Sequence, residues 1–254
     1  AGGEALRTLL SLSVTSDGFL MESHPKLKPV DAPTRGVFYA GTCEAPKDIK
    51  DSVTQAGAAA ARAQGILNAG QVTLEAITAR VIPELCTFCG KCEKVCPYGA
   101  IRGNDAKARI APTVIEAACM GCGTCVAECE FDAMVARHFT NEQLSAQIDA
   151  ALDKDAADRV LAFACNWCSY AGGDTAGIGR MQYPPSAVLV RSMCSGRVSE
   201  EMVLRAFARG APIVLVSGCH FADCHYIHAN RQTVRRVERQ TEVPAANVQR
   251  LARM

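Results

Sequence analysis

The last third of the chain carries three short apolar runs, Val160 to Ala164, Ala187 to Val190 and Ile213 to Ser217, separated by segments of helical period. Such runs, bounded by turn formers and alternating with helices, predict βαβ units and a small parallel sheet with right-handed crossovers. The helix between the last two runs is well delimited. Ser199 stands at its N-cap, Glu200 and Glu201 lie in its first turn, Gly210 follows its end and Pro212 lies beyond. Upstream, Thr140-Asn141-Glu142-Gln143 has the capping-box pattern, and Leu144, Ile148 and Leu152 follow at helical spacing. Strand-like pieces occur near Ala79 to Ile82 and Met134 to Arg137. Nearer the start, Gly36-Val37-Phe38-Tyr39-Ala40 reads as a strand ending at Gly41. A helix then runs from about Pro46 through the alanine-rich stretch Ala56 to Ala61 and on to Leu67. Its small residues, Gly57 among them, predict close packing against another backbone or a ligand.

The composition agrees with a folded chain: of 254 residues, 49% are hydrophobic and 21% charged, near the averages for globular domains. A net charge of +1 gives no reason to expect nucleic acid or an anionic membrane as partner. The arginines at 231, 235, 236 and 239 are expected on the solvated face of a C-terminal helix. No stretch reaches the roughly 18 apolar residues of a membrane span, and no leader opens the chain. A cytoplasmic protein without membrane insertion is the expectation.

Cysteine changes the picture most. Fourteen cysteines in tight clusters, with no secretion signal, point to metal rather than disulfides. Cys86-x2-Cys89-x2-Cys92-x3-Cys96-Pro97 repeats as Cys119-x2-Cys122-x2-Cys125-x3-Cys129, with Glu130 in place of the proline. This is the spacing of bacterial two-cluster ferredoxins, where the fourth cysteine ligates the other cluster. One [4Fe–4S] cluster is therefore expected on Cys86, Cys89, Cys92 and Cys129, and a second on Cys119, Cys122, Cys125 and Cys96. Three thiolates at i, i+3 and i+6 on a tight loop suit three corners of one cubane. Gly90, Gly121 and Gly123 allow the loop to wrap that closely. Zinc, the alternative, needs no third cysteine at this spacing. A module this short buries little apolar area, so the clusters are expected to serve as its core.

A second constellation comprises Cys165 and Cys168, Cys194, and Cys219 and Cys224. Each group directly follows one of the three predicted strands, so all five thiols should meet at the carboxyl edge of the parallel sheet. That suffices for one [2Fe–2S] cluster with one thiol to spare, the spare one being undetermined by spacing. Zinc with His220, His225 or His228, or buried structural thiols, are the competing readings.

The stretch from about Val160 to Glu238, with Met193-Cys194-Ser195-Gly196-Arg197-Val198 and the Gly218-Cys219…Cys224-His225-Tyr226 segment, resembles the delta subunit of methyl-viologen-reducing hydrogenase. The part before it resembles the C-terminal part of the heterodisulfide reductase A polypeptide, through Gly36 to Gly41, Pro46-Lys47-Asp48-Ile49, the alanine-rich helix and the paired cysteine motifs. These resemblances imply an α/β and α+β multidomain chain. Residues 1–80 form a flavoprotein-type dinucleotide-binding remnant, 81–138 a two-[4Fe–4S] ferredoxin-like module, 139–157 a connecting helix and 158–254 a small parallel βαβ domain. They imply two [4Fe–4S] clusters, one [2Fe–2S] cluster, and FAD near Gly41, Thr42, Cys43, Lys47, Asp48 and Ile49. The function implied is electron transfer within a multisubunit, sometimes electron-bifurcating complex. Its partners would be heterodisulfide reductase B/C-like subunits and a hydrogenase or a formate or NADH dehydrogenase. No G-x-G-x-x-G fingerprint follows a strand in this sequence, so any flavin site here is partial, shared or completed in a longer chain. The competing function is a catalytic flavin-dependent disulfide or small-molecule reductase using its own flavin or Cys43. A zinc-containing scaffold is a third reading.

Overall fold

The computed structural model describes residues 3–241 except 11, 16, 24–27, 72, 74, 75, 222 and 223. Ala222 and Asp223, between two of the candidate ligands, and the predicted domain's last residues thus lie outside the described residues.

A short helix, α1 (Glu4–Leu10), precedes a loop region and then α2 (Ile49–Ala69). Helix α2 is delimited by local chemistry. The Asp48 carboxylate accepts the Asp51 N–H at 2.7 Å, and the chain exits through Gly70 at φ 66°. The predicted strand at 36–40 is not a regular strand. Phe38 makes an isolated bridge to Asp31, and Tyr39 donates its N–H to Val30 at 2.8 Å, so the segment folds back on its own neighbour. The predicted close packing of α2 is also not seen: only Ala59 is buried, and nothing lies within 4 Å of a Cβ added at Gly57 or Gly65. Alanine offers too little apolar area to draw a neighbour onto the helix by itself. The Arg62–Asp31 ion pair, at 2.7 Å, ties α2 back to the loop.

The next group is built from two antiparallel strand pairs. Strand β1 (Ala79–Val81) pairs with β4 (Met134–Ala136), Ala79 facing Ala136. Strand β2 (Ile101–Arg102) pairs with β3 (Thr113–Val114). Two four-residue helices, α3 (Lys91–Lys94) and α4 (Thr124–Ala127), each follow a left-handed glycine, Gly90 at φ 69° and Gly123 at φ 74°. Cysteines at 92, 96, 119, 125 and 129 pack into this group's small apolar cluster.

The third group opens with α5 (Asn141–Ala151), whose capping box is complete: Gln143 N–H donates to Thr140 and the Gln143 side chain accepts from the Thr140 N–H. It continues through β5 (Val160–Cys165), α6 (Ser169–Ile178), β6 (Ala187–Ser192), α7 (Glu200–Ala208), β7 (Ile213–Ser217) and α8 (Ala229–Thr241). The sheet is parallel in the order β6-β5-β7, with Val160 facing both Ala187 and Ile213. On one face Leu161, Phe163 and Val190 bury against α5 (Leu144, Ile148, Leu152) and α7 (Met202, Val203, Ala206). The other face carries α6 near Leu189, and Leu189, Ile213 and Leu215 are about half exposed at 42%, 50% and 51%. Burial on both sides of β5 explains its unbroken apolar run.

Candidate metal centres

The two tight loops bring eight thiols into two cavities. One is lined by Cys86, Cys89, Cys92 and Cys129, the other by Cys96, Cys119, Cys122 and Cys125. Pairing of β1 with β4 sets Cys129, ahead of β4, beside the loop after β1, and pairing of β2 with β3 sets Cys96, ahead of β2, beside the loop after β3. Left-handed backbone at Gly90, Gly121 and Gly123 is required, since L side chains are strained there. At Gly121 and Gly123 there is also no room for a Cβ, because Ile77 and Arg197 press on them. Burial pushes the Cys92 thiol up to about 11 and the Cys122 thiol up to about 12, and also raises Cys96 and Cys125. Thiolates at such positions need a compensating cation, so the all-sulfur donor set and its burial suit a bound cluster. Backbone N–H groups already point at sulfur: Phe88 to Cys86 and Ala79 to Cys119, both at 3.4 Å.

At the carboxyl edge of the parallel sheet the Sγ atoms of Cys165, Cys168 and Cys219 lie within 4.8 Å of one another. Cys165 and Cys219 are 3.9 Å apart. Cys194 is buried, and its interaction with the Cys165 and Cys224 thiols holds its proton on and lowers the other two, Cys165 to about 5 and Cys224 to about 6. The Gly196 N–H donates to Cys194 Sγ at 3.3 Å. The five thiols thus follow the aligned ends of three strands, with Cys165, Cys168 and Cys219 close together and Cys194 and Cys224 packed in one apolar cluster. Among the described residues this close group is made of thiols alone. His225 instead stacks on Trp167 at 3.7 Å between centroids, and Trp167 Nε1 donates to the Tyr226 hydroxyl at 3.0 Å.

The five-thiol edge and the second four-thiol cavity share one apolar cluster. Cys122, Cys194, Tyr98, Tyr226, Ala118 and Ala229 bury together, with Cys96, Cys119 and Cys224 against them.

The predicted flavin residues are less suggestive. Gly41 to Cys43 form a 3₁₀ turn, the Gly41 N–H is held by Gln55 Oε1 at 2.8 Å, and Lys47 pairs with Glu44 at 3.0 Å. Asp48 caps α2, Thr42 and Cys43 are exposed, and so is Ile49.

Two buried arginines are not foreseen by the sequence pattern. Arg236, expected on a solvated face, is 2% exposed. It pairs with Glu128 at 2.7 Å and donates to the carbonyls of Gly196 and Val198. Arg197 is 1% exposed, and burial pushes it down to about 10 while Cys125 acts to raise it. The amphipathic spacing of α8, with Thr233 and Arg236 three apart, is the one signal that could have found the first; Arg197 has none.

Paired four-thiol loops beside a thiol-lined edge of a parallel sheet define an iron–sulfur protein with two 4Fe–4S binding motifs. Comparison with known proteins makes this specific. Residues 79–102 and 116–132 match models of the 4Fe-4S binding domain, and 160–247 match that of the methyl-viologen-reducing hydrogenase, delta subunit. Over 92% of its length the chain is 43% identical to the A polypeptide of ferredoxin:CoB-CoM heterodisulfide reductase from Methanosarcina mazei, of which it spans 29%. Over 61% of its length it is 49% identical to the A polypeptide of H(2):CoB-CoM heterodisulfide,ferredoxin reductase from Methanothermobacter thermautotrophicus, covering 23% of that protein. Over 31% of the chain it is 53% identical to the iron-sulfur D polypeptide of F420-non-reducing hydrogenase vhc from Methanococcus voltae, 55% of which is covered. The chain is therefore similar to the C-terminal part of the heterodisulfide reductase A polypeptide carrying a hydrogenase delta-type domain, and it spans less than a third of those reductase polypeptides.

Proposed function

We propose that this chain is the electron-transfer portion of a multisubunit flavin and iron–sulfur oxidoreductase of the heterodisulfide reductase kind. The observation that carries this reading is the shared apolar cluster, which sets Cys194 and Cys224 of the five-thiol edge against Cys96, Cys119 and Cys122. On this reading Cys86, Cys89, Cys92 and Cys129 hold one [4Fe–4S] cluster, and Cys96, Cys119, Cys122 and Cys125 hold the other. Four of Cys165, Cys168, Cys194, Cys219 and Cys224 hold a [2Fe–2S] cluster. When bound, these clusters supply reversible one-electron carriage.

The chain's own residues supply position and dryness. Tyr98, Tyr226 and Ala118 fill the space between the two neighbouring thiol groups with apolar and aromatic matter. The stack of Trp167 on His225 borders the outer side, next to Cys168 and Cys224 in the chain. The loop glycines let backbone N–H groups approach sulfur, which tunes potential.

Between Gly41 and Ile49 the residues offer no whole flavin site, since Gln55 and Asp48 already occupy the Gly41 and Asp51 N–H groups. We assign one edge of an FAD site to them, with its adenosine half held outside this chain. The three units we propose are residues 1–80 for that edge, 81–138 for the ferredoxin-like module and 158–254 for the [2Fe–2S] domain, joined by 139–157. The partners are further iron–sulfur proteins like those of heterodisulfide reductase and a hydrogenase or dehydrogenase, in the cytoplasm, with bifurcation at the flavin as an activity of the whole complex. Among the described residues no helix is long and apolar enough to cross a membrane. Anaerobic iron and sulfide analysis with electron paramagnetic resonance tests the cluster assignment: about ten irons are expected. About eight irons with one zinc would overturn the third centre.

A further inference from the structure

Arg197 belongs to the loop that carries Cys194, yet its side chain reaches into the neighbouring ferredoxin-like group. A Cβ on Gly123, between Cys122 and Cys125, would stand 2.5 Å from Arg197 Cδ, so the arginine stem lies directly on the second cluster loop. The side chain is 1% exposed. Its Nε donates to the Phe139 carbonyl at 2.9 Å and its Nη2 to Asn141 Oδ1 at 2.6 Å. Neither acceptor carries a formal charge. Its Nη1 is buried with no hydrogen-bond partner. A buried guanidinium with an unused donor and uncharged acceptors is costly unless a negative group nearby offsets it. The four thiolates lining the adjoining cavity are such a group: Cys125 acts on Arg197 to favour its charge ahead of the Glu142 and Asp132 carboxylates, while Arg236 acts against it. Arg236, by contrast, is neutralised by Glu128.

We propose that Arg197 is a positioning residue for the centre held by Cys96, Cys119, Cys122 and Cys125, and that its fixed positive charge raises the reduction potential of that centre. The inference rests on the ligand assignment proposed above. One-electron reduction adds one negative charge to a four-thiolate centre, so a desolvated cation beside it stabilises the reduced form more than the oxidised form. It also means that the loop supplying Cys194 to one metal site sets the poise of the next.

The test is an anaerobic redox titration of the full chain, reconstituted with iron and sulfide and followed by electron paramagnetic resonance. In Arg197→Gln the midpoint of one [4Fe–4S] signal falls enough to change its oxidised-to-reduced ratio at least tenfold, about 59 mV for one electron. The other signal moves less. Arg197→Lys, which keeps the charge and loses the fork, stays within that margin of the parent. Asn141→Asp, which sets a carboxylate on Nη2 and leaves the arginine in place, moves the same signal in the same direction and serves if Arg197→Gln fails to fold. Two loaded clusters with unmoved midpoints in the folded Arg197→Gln or Asn141→Asp chain would overturn the inference, as would a full shift in Arg197→Lys. A parent chain with no [4Fe–4S] signals would overturn the ligand assignment instead.

Discussion

Glycine 196 offers a test of how the two cysteine-bearing groups are joined. A Cβ there would lie 2.5 Å from Thr124 Oγ1, 2.9 Å from Ala229 Cβ and 3.3 Å from the Ala229 carbonyl oxygen. The threonine hydroxyl can rotate aside, but Ala229 Cβ and its carbonyl belong to the first turn of α8 and move only with the helix. Gly196→Ala must therefore lift α8 or the 195–197 turn from α4. Overpacking of this kind costs about 1–3 kcal/mol. At Gly57, inside α2, nothing lies within 4 Å of an added Cβ, so Gly57→Ala removes only backbone entropy and stabilises by roughly 0.5–1 kcal/mol. The same substitution thus has opposite signs at two places. Urea unfolding of the cluster-loaded chain, followed anaerobically by circular dichroism, measures both, and iron content checks that the centre proposed near Cys194, two residues away, stays loaded. A Gly196→Ala midpoint equal to or above the parent's, with iron content intact, would refute the close approach of turn, α4 and α8.

Two further outcomes are expected. Glu128→Ala leaves Arg236, 2% exposed, with backbone carbonyl partners only, and breaking a buried pair from one side costs about 3–5 kcal/mol, which a urea midpoint that does not move would contradict. Removing iron with a chelator should unfold residues 79–137 before the α5–β5–α7 layer. The first packs its small apolar cluster around the cysteines proposed to hold metal, whereas the second has Leu144, Ile148, Leu161 and Phe163 fully buried; limited proteolysis that cuts the second first would contradict this.

Much of the candidate site was legible along the chain because metal ligation imposes short, repeated spacings. The two four-cysteine motifs meet at two four-thiol cavities, and the thiol groups follow the aligned ends of three parallel strands, where Cys165, Cys168 and Cys219 lie close together. The helix termini at Thr140, Ser199 and Gly210 were also readable, since caps are local hydrogen-bond chemistry. Strand character at 36–40 was not, because whether an apolar pentapeptide joins a sheet depends on partners distant in sequence.

The sequence by itself determined where the cysteine clusters lie, where the helices after Thr140 and Ser199 begin, and that the final sheet is parallel. Only the tertiary structure decided that Arg197 and Arg236 are inside, that Gly196 is the contact between turn, α4 and α8, and that Cys122 and Cys194 share one apolar cluster. The reason is the range of the forces involved. Ligand spacing and capping are settled within a few residues of chain, whereas burial of a charge is settled by surfaces brought together from elements as far apart as Glu128 and Arg236.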